Sequence, residues 1–125
     1  DWSSDVCSSD LAHRSIRFQQ GSAKNLPFPN DGIDLVYTSL ALEQMESIRG
    51  AVLAEIGRVA GSHASFFEAF REFNGTSIQR AYVFAERYFR GSMQDLRDVG
   101  FRDVRAFADL PQKIWMNNVH VLASK

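Results

Sequence analysis

Between Asn30 and Val59 the chain changes hydrophobic period once, from that of a strand to that of a helix. Asn30-Asp31-Gly32 is a strong turn signal. Behind it, Ile33-Asp34-Leu35-Val36-Tyr37-Thr38-Ser39 is rich in β-formers and suits a buried strand. From Met45 onward, Met45, Ile48, Val52, Ile56 and Val59 recur every three or four residues, a helical stripe closing near Gly61. Glu55 and Arg58 fall off that stripe and are expected in solvent. A buried strand leading straight into an amphipathic helix restricts the chain to layered α/β architectures.

The flanking segments extend the pattern. Ser15-Ile16-Arg17-Phe18-Gln19-Gln20 alternates as a half-buried strand does, until Gly21-Ser22-Ala23-Lys24-Asn25 breaks it. Leu26-Pro27-Phe28-Pro29 is extended, since each proline disfavours helix in the residue before it. Ala64-Ser65-Phe66-Phe67 is a short strand candidate. Ile78, Ala81, Tyr82, Ala85, Tyr88 and Phe89 mark one face of a second helix, with Glu86 and Arg90 spaced as an i,i+4 pair. Met93, Leu96 and Val99 give a shorter helix that Gly100 can end in a left-handed conformation. Val104–Phe107 and Asn118–Leu122 are closing strands, joined by a short link containing Pro111 and so expected antiparallel. The alternation of strands and helices predicts a largely parallel sheet covered on both faces.

Composition narrows the function classes. Of 125 residues, 45% are hydrophobic and 23% charged, with a formal net charge of −1, so neither nucleic acid nor a membrane surface is an expected partner. No apolar run approaches the ~20 residues of a membrane span, and no basic stretch leads into an apolar one at the start, as a secretory signal requires. The single cysteine, Cys7, excludes an internal disulfide and cannot form a zinc site alone. A cytoplasmic setting fits. His13, His63 and His120 show no metal-ligand spacing, so no metal is expected.

Residues 1–11, Asp1-Trp2-Ser3-Ser4-Asp5-Val6-Cys7-Ser8-Ser9-Asp10-Leu11, have neither period. They resemble the translation of a common sequencing-library adapter, and such a segment is set aside from fold reasoning. Without them, three of the 15 acidic residues go and all 14 basic ones stay, for a net charge of +2. The expectation is a natural domain over residues 12–125 whose own N-terminus is missing.

In an open α/β sheet, ligands bind beyond the carboxyl ends of the strands. Two loops of small residues are placed there: Gly21-Ser22-Ala23, and Thr38-Ser39-Leu40-Ala41-Leu42.

Those loops belong to a series. Gly21-Ser22-Ala23 with Leu26-Pro27-Phe28, then Ile33-Asp34-Leu35-Val36, Leu42-Glu43-Gln44, and Leu53-Ala54-Glu55-Ile56-Gly57-Arg58-Val59 resemble the second half of the type 11 class of S-adenosylmethionine-dependent methyltransferases. These typically read Gly-Asp-Ala, Leu-Pro-Phe, Phe-Asp-Leu-Val, Leu-Glu-His and Leu-x-Glu-x-x-Arg-Val in the same order. Gly100-Phe101 before a strand matches the family's last helix–strand junction. The resemblance spans residues 16 to 125 and rests on five motifs in register.

It implies an α/β fold: a partial Rossmann-like methyltransferase sheet, ordered 3-2-1-4-5-7-6 when whole, here lacking its first two strands and closing with an antiparallel pair. The glycine-rich turn after strand 1 and the ribose-binding acid after strand 2 would be lost with them, leaving the chain inactive by itself. S-adenosyl-L-methionine is the implied cofactor and a small molecule the implied methyl acceptor. Ser22 and Ala23 match the adenine-binding pair. Ser22 stands where the family has Asp, and its hydroxyl accepts without a carboxylate's charge. Thr38, Ser39 and Leu40 match the loop along the methionine arm, and Gln44 a position where His is frequent. No catalytic residue is implied, because displacement at a sulfonium methyl is driven by positioning and exclusion of water.

Eight of the 15 aromatic residues lie between Phe66 and Phe89. They suit core packing; alternatively Phe70, Phe73 and Tyr82 line an apolar acceptor pocket. Two other classes compete. One is another Rossmann-like nucleotide-binding enzyme, such as a short-chain dehydrogenase, which requires Tyr-x-x-x-Lys, but Tyr37, Tyr82 and Tyr88 are followed at that spacing by Ala41, Glu86 and Ser92. A non-catalytic module would use the aromatic helix to dock a partner.

Overall fold

The computed structural model describes residues 16–125. The adapter-like segment, Cys7 and His13 lie outside the described residues. Four strands, β1 (Ile33–Ser39), β2 (Ala60–Glu68), β3 (Asp103–Phe107) and β4 (Val119–Ser124), form one sheet in the order β1-β2-β4-β3. That is the 4-5-7-6 half of the expected order. β1 and β2 are parallel, while β4 is antiparallel to both β2 and β3. The parallel character is thus confined to one of three strand pairs.

The helical stripe divides in two. Leu42–Ile48 forms 3-10 turns broken at Met45, and α1 (Arg49–Val59) follows as regular α-helix. β2 begins at once, at Ala60, four residues earlier than the apolar run suggests. Its first residues, Ala60-Gly61-Ser62-His63, carry little β signal. They are drawn into the sheet by pairing with β1, across a bulge between the Ile33–Ala60 and Leu35–His63 pairs.

Two further helices, α2 (Ser77–Ala85) and α3 (Met93–Asp98), each begin with a capping box, from Thr76 to Gln79 and from Ser92 to Asp95. Gly100 (φ 109°) ends the α3 region in the left-handed conformation expected of it.

α2 departs from the expected helix. It stops at Ala85, Arg87 takes a left-handed φ of 56°, and Tyr88 and Phe89 lie beyond it. Its buried residues are Gln79 and Val83, whereas Ile78 and Phe84 face solvent. The polar Gln79 is drawn inward because it closes the capping box and donates to Lys113 O at 2.9 Å. Arg90 pairs with Glu46, not Glu86.

Ile16–Gln20 is not a strand, and Ile16 and Phe18 are exposed. Alternation specifies which face of a strand would be apolar, but a strand also needs a neighbour to satisfy its backbone. The expected covering of both faces is likewise not met among the described residues. One sheet face buries Ala64, Phe66, Val119, Val121 and Ala123 against Leu53, Ile56, Leu96 and Phe101. The opposite face leaves Leu35 55%, Tyr37 62% and Phe107 47% exposed. β1 is a sheet edge among the described residues.

Candidate functional site

The carboxyl ends of parallel β1 and β2 lie side by side, with Ser39 in register with Phe67. The chain leaves β1 through Leu40, whose φ of 52° is unusual for a residue with a branched side chain. Two residues of β2 hold that turn. Leu40 N–H donates to Phe67 O at 3.0 Å, and Glu68 Oε1 accepts from Ala41 N–H (3.1 Å) and Leu42 N–H (3.3 Å).

Glu68 is fully buried, and burial pushes its carboxyl up from 4.5 to about 7, against the lowering effect of its donors. Its second oxygen and the nearby Thr38 Oγ1 are both buried without a hydrogen-bond partner among the described residues; Thr38 faces the carboxylate but falls short of bonding geometry. Glu68 went unread in the sequence. The available signal was a lone acid ending the apolar run Ala64–Phe67.

The sequence-derived positions fall as follows. Thr38 is half-buried on the core side of β1, while Ser39 and Leu40 are exposed at its tip. With the N–H groups of Leu40, Ala41 and Leu42 already engaged, this turn offers a ligand the Ser39 hydroxyl and the Leu40 side chain. Such a lining fits the methionine arm of S-adenosylmethionine through an acceptor and apolar contact, not through an anion-binding set of free N–H groups. Ser22 is exposed and its Oγ accepts from Lys24 N–H at 3.3 Å; Ala23 is half-buried against the core. Gln44 lies on the 3-10 segment and lines a cavity of about 700 Å³ with Glu43, Phe84 and Arg90.

Phe70 is fully enclosed, edge-on to Phe66 and to Phe89, and presents no surface to a pocket. Phe73 packs against the same core. Tyr82 is half-buried between Tyr88 and Trp115. Two of the three aromatics thus serve packing, while the exposed Phe84, with the buried Phe89 behind it, lines a second cavity of about 610 Å³ after β2.

Glu55 and Arg58 are not the free surface residues their place off the helical stripe suggests. Arg58 donates to the carbonyls of Leu26 (3.0 Å) and Phe28 (2.8 Å), and Glu55 Oε2 accepts from Leu26 N–H at 2.8 Å. The two also pair with each other at 2.7 Å. They fasten the Leu26-Pro27-Phe28 segment onto α1, so two motifs noted separately in the sequence form one structure. His120 hydrogen-bonds Ser65 Oγ (2.7 Å), and no group of three or more metal-ligating side chains occurs among the described residues. No helix among the described residues is long and apolar enough to cross a membrane.

A family model described as methyltransferase domain matches residues 3–67, just over half of the chain. The chain belongs to this methyltransferase domain family. Its match to the uncharacterized methyltransferase YcgJ of Bacillus subtilis (strain 168) is 38% identical over 52 residues, which is 42% of this chain and 20% of that protein. The aligned part thus spans one fifth of its curated relative's length.

Among solved structures, the chain resembles a SAM-dependent methyltransferase of Thermotoga maritima, titled a possible histamine N-methyltransferase. The TM-score is 0.62 at 17% identity, covering 98% of this chain and 70% of that one. It also resembles PigF with SAH, at a TM-score of 0.58 and 18% identity, covering 98% and 40%. At these identities the likeness establishes the fold: a Rossmann-like methyltransferase sheet, present here in part.

Proposed function

We propose that the intact protein transfers a methyl group from S-adenosylmethionine to a small-molecule acceptor, and that residues 12–125 form the C-terminal part of its methyltransferase domain, too little to act alone. The family supports the reaction class, and one observation carries the placement of the site: the turn after β1 is clamped by Glu68 at the carboxyl ends of two parallel strands. Ligands of open α/β sheets bind at such ends. The cofactor supplies an activated methyl on a good leaving group. The task left to this chain is positional. Thr38, Ser39 and Leu40 would flank the methionine arm, Ser22 and Ala23 the adenine, and Gln44 would add a further contact to the cofactor. No base is assigned, since a nucleophilic acceptor held in line needs none.

Incompleteness has its own support. The exposed Leu35 and Tyr37 and the open edge of β1 are apolar surface of the kind a further strand and helices would cover. A cytoplasmic setting accords with this chemistry.

Calorimetry tests both halves. This chain is expected to give no stoichiometric S-adenosylmethionine binding, whereas the polypeptide from the uninterrupted reading frame binds it. Micromolar, stoichiometric binding by the 125-residue chain would overturn the first half; no binding by the longer polypeptide would overturn the second.

A further inference from the structure

The cavity of about 610 Å³ opens directly after β2, one residue past Glu68. Its apolar wall is the exposed Phe84, backed by the buried Ala69, Val83 and Phe89. Its polar lining is dominated by cations: Arg71, Arg80 and Arg90, against the single acid Glu72. Glu72 is already engaged as acceptor for Met93 N–H at 2.8 Å. Arg90 is held by Glu46 at 3.2 Å and lies over the Phe84 ring, 5.4 Å from its centroid. Arg71 and Arg80 form no ion pair among the described residues. Phe84 and Arg90 also line the neighbouring cavity that contains Gln44, so the two hollows adjoin across these side chains.

A planar apolar wall beside two uncommitted guanidinium groups is complementary to one kind of ligand. We propose that this cavity takes a small organic acid, its apolar body against Phe84 and its oxyanion at Arg71 and Arg80. Guanidinium forks match carboxylate and phosphate oxygens alike, so the shared oxyanion chemistry defines the class. The inference rests on the methyl-transfer reading only in making this acid the acceptor; the binding chemistry stands apart from it.

NMR titration of the full chain with benzoate, phenyl phosphate and benzyl alcohol tests it. At least one anion is expected to perturb Phe84, Phe89 and Arg80 resonances, with the uncharged alcohol at least tenfold weaker and the anion weakened by added salt. Arg71 and Arg80 are exposed, so R71Q/R80Q should stay folded and bring the anion down to the level of the alcohol. Equal binding of anion and alcohol, wild-type affinity in R71Q/R80Q, or no anion response at millimolar concentration would each refute the site. Anion binding alongside a longer polypeptide that ignores S-adenosylmethionine removes the acceptor role and leaves the cavity's chemistry intact. Cofactor binding without any anion binding removes the acid site alone.

Discussion

Glu68 Oε1 stands 3.1 Å from the backbone nitrogen of Ala41, joining the last residue of one strand to the turn that leaves its parallel neighbour. Leu42, whose N–H shares that oxygen, is buried, so no water replaces the acceptor if it is removed. Glu68→Ala is expected to cost about 1–3 kcal/mol for the stranded donor alone. Glu68→Gln keeps an acceptor oxygen and should cost less. Urea denaturation of the two variants checks the order; equal losses would mean that Glu68 acts through packing and not through the turn.

The same residue sets a pH dependence. Burial raises its carboxyl from 4.5 to about 7, so the folded chain retains a proton that the unfolded chain has released between those values. Its contribution is complete below about pH 4.5 and declines as pH rises to about 7, by up to about 3 kcal/mol. Glu55 works in the opposite sense. Its hydrogen bond from Arg58 lowers it to about 2, so its contribution is present above pH 4.5 and fades as pH falls towards 2. Stability measured from pH 4.5 to 7 should therefore slope downward in the wild type and flatten in Glu68→Gln.

The Glu55–Arg58 pair predicts a local effect. Arg58→Ala removes donors to the Leu26 and Phe28 carbonyls, and Glu55→Gln weakens the acceptor for Leu26 N–H. Hydrogen exchange at the Leu26 amide should accelerate in both variants, with core amides of β2 and β4 unchanged. Uniform acceleration would show that the clamp supports the whole fold.

These residues also mark where reading the sequence succeeds and where it stops. The bounds of β1, the antiparallel closing pair and Gly100 are legible because turn chemistry and residue period act over a few neighbours, whereas the burial expected of β1 is not met, since Leu35 and Tyr37 have nothing packed over them among the described residues. The solvent setting expected of Glu55 and Arg58 is not met because an off-stripe position says only that a side chain avoids the helix's own core face, not that another segment leaves it free. Glu68 was invisible for the same reason: its partners lie 26 and 27 residues away. Ile16–Gln20 failed in the other direction, since its alternation carries no information on whether a neighbouring strand is there to bond it.

Phe70 separates core from pocket. It is enclosed by Phe66 and Phe89, with ring centroids 6.2 and 5.3 Å away. Phe70→Ala should cost about 3–5 kcal/mol, visible as a lowered urea midpoint. Phe84→Ala, on an exposed cavity wall, should leave the unfolding free energy within about 0.5 kcal/mol of wild type.

Two glycines of α1 should respond to alanine with opposite signs. A Cβ on Gly57 would stand 2.4 Å from Val99 O, a backbone atom fixed where α3 gives way to Gly100. The gain in helix propensity, about 1 kcal/mol, is set against an overpacking cost of about 1–3 kcal/mol. Backbone cannot rotate aside as a side chain can, so the cost should prevail and Gly57→Ala should destabilise. Gly50 has nothing within 4 Å of its added methyl. There the propensity term acts unopposed, and Gly50→Ala should stabilise by about 0.5–1 kcal/mol. Measuring both in one urea series cancels effects on the unfolded chain common to any Gly→Ala change. A stabilised Gly57→Ala would mean that α1 and α3 separate more readily than their contact at Val99 implies.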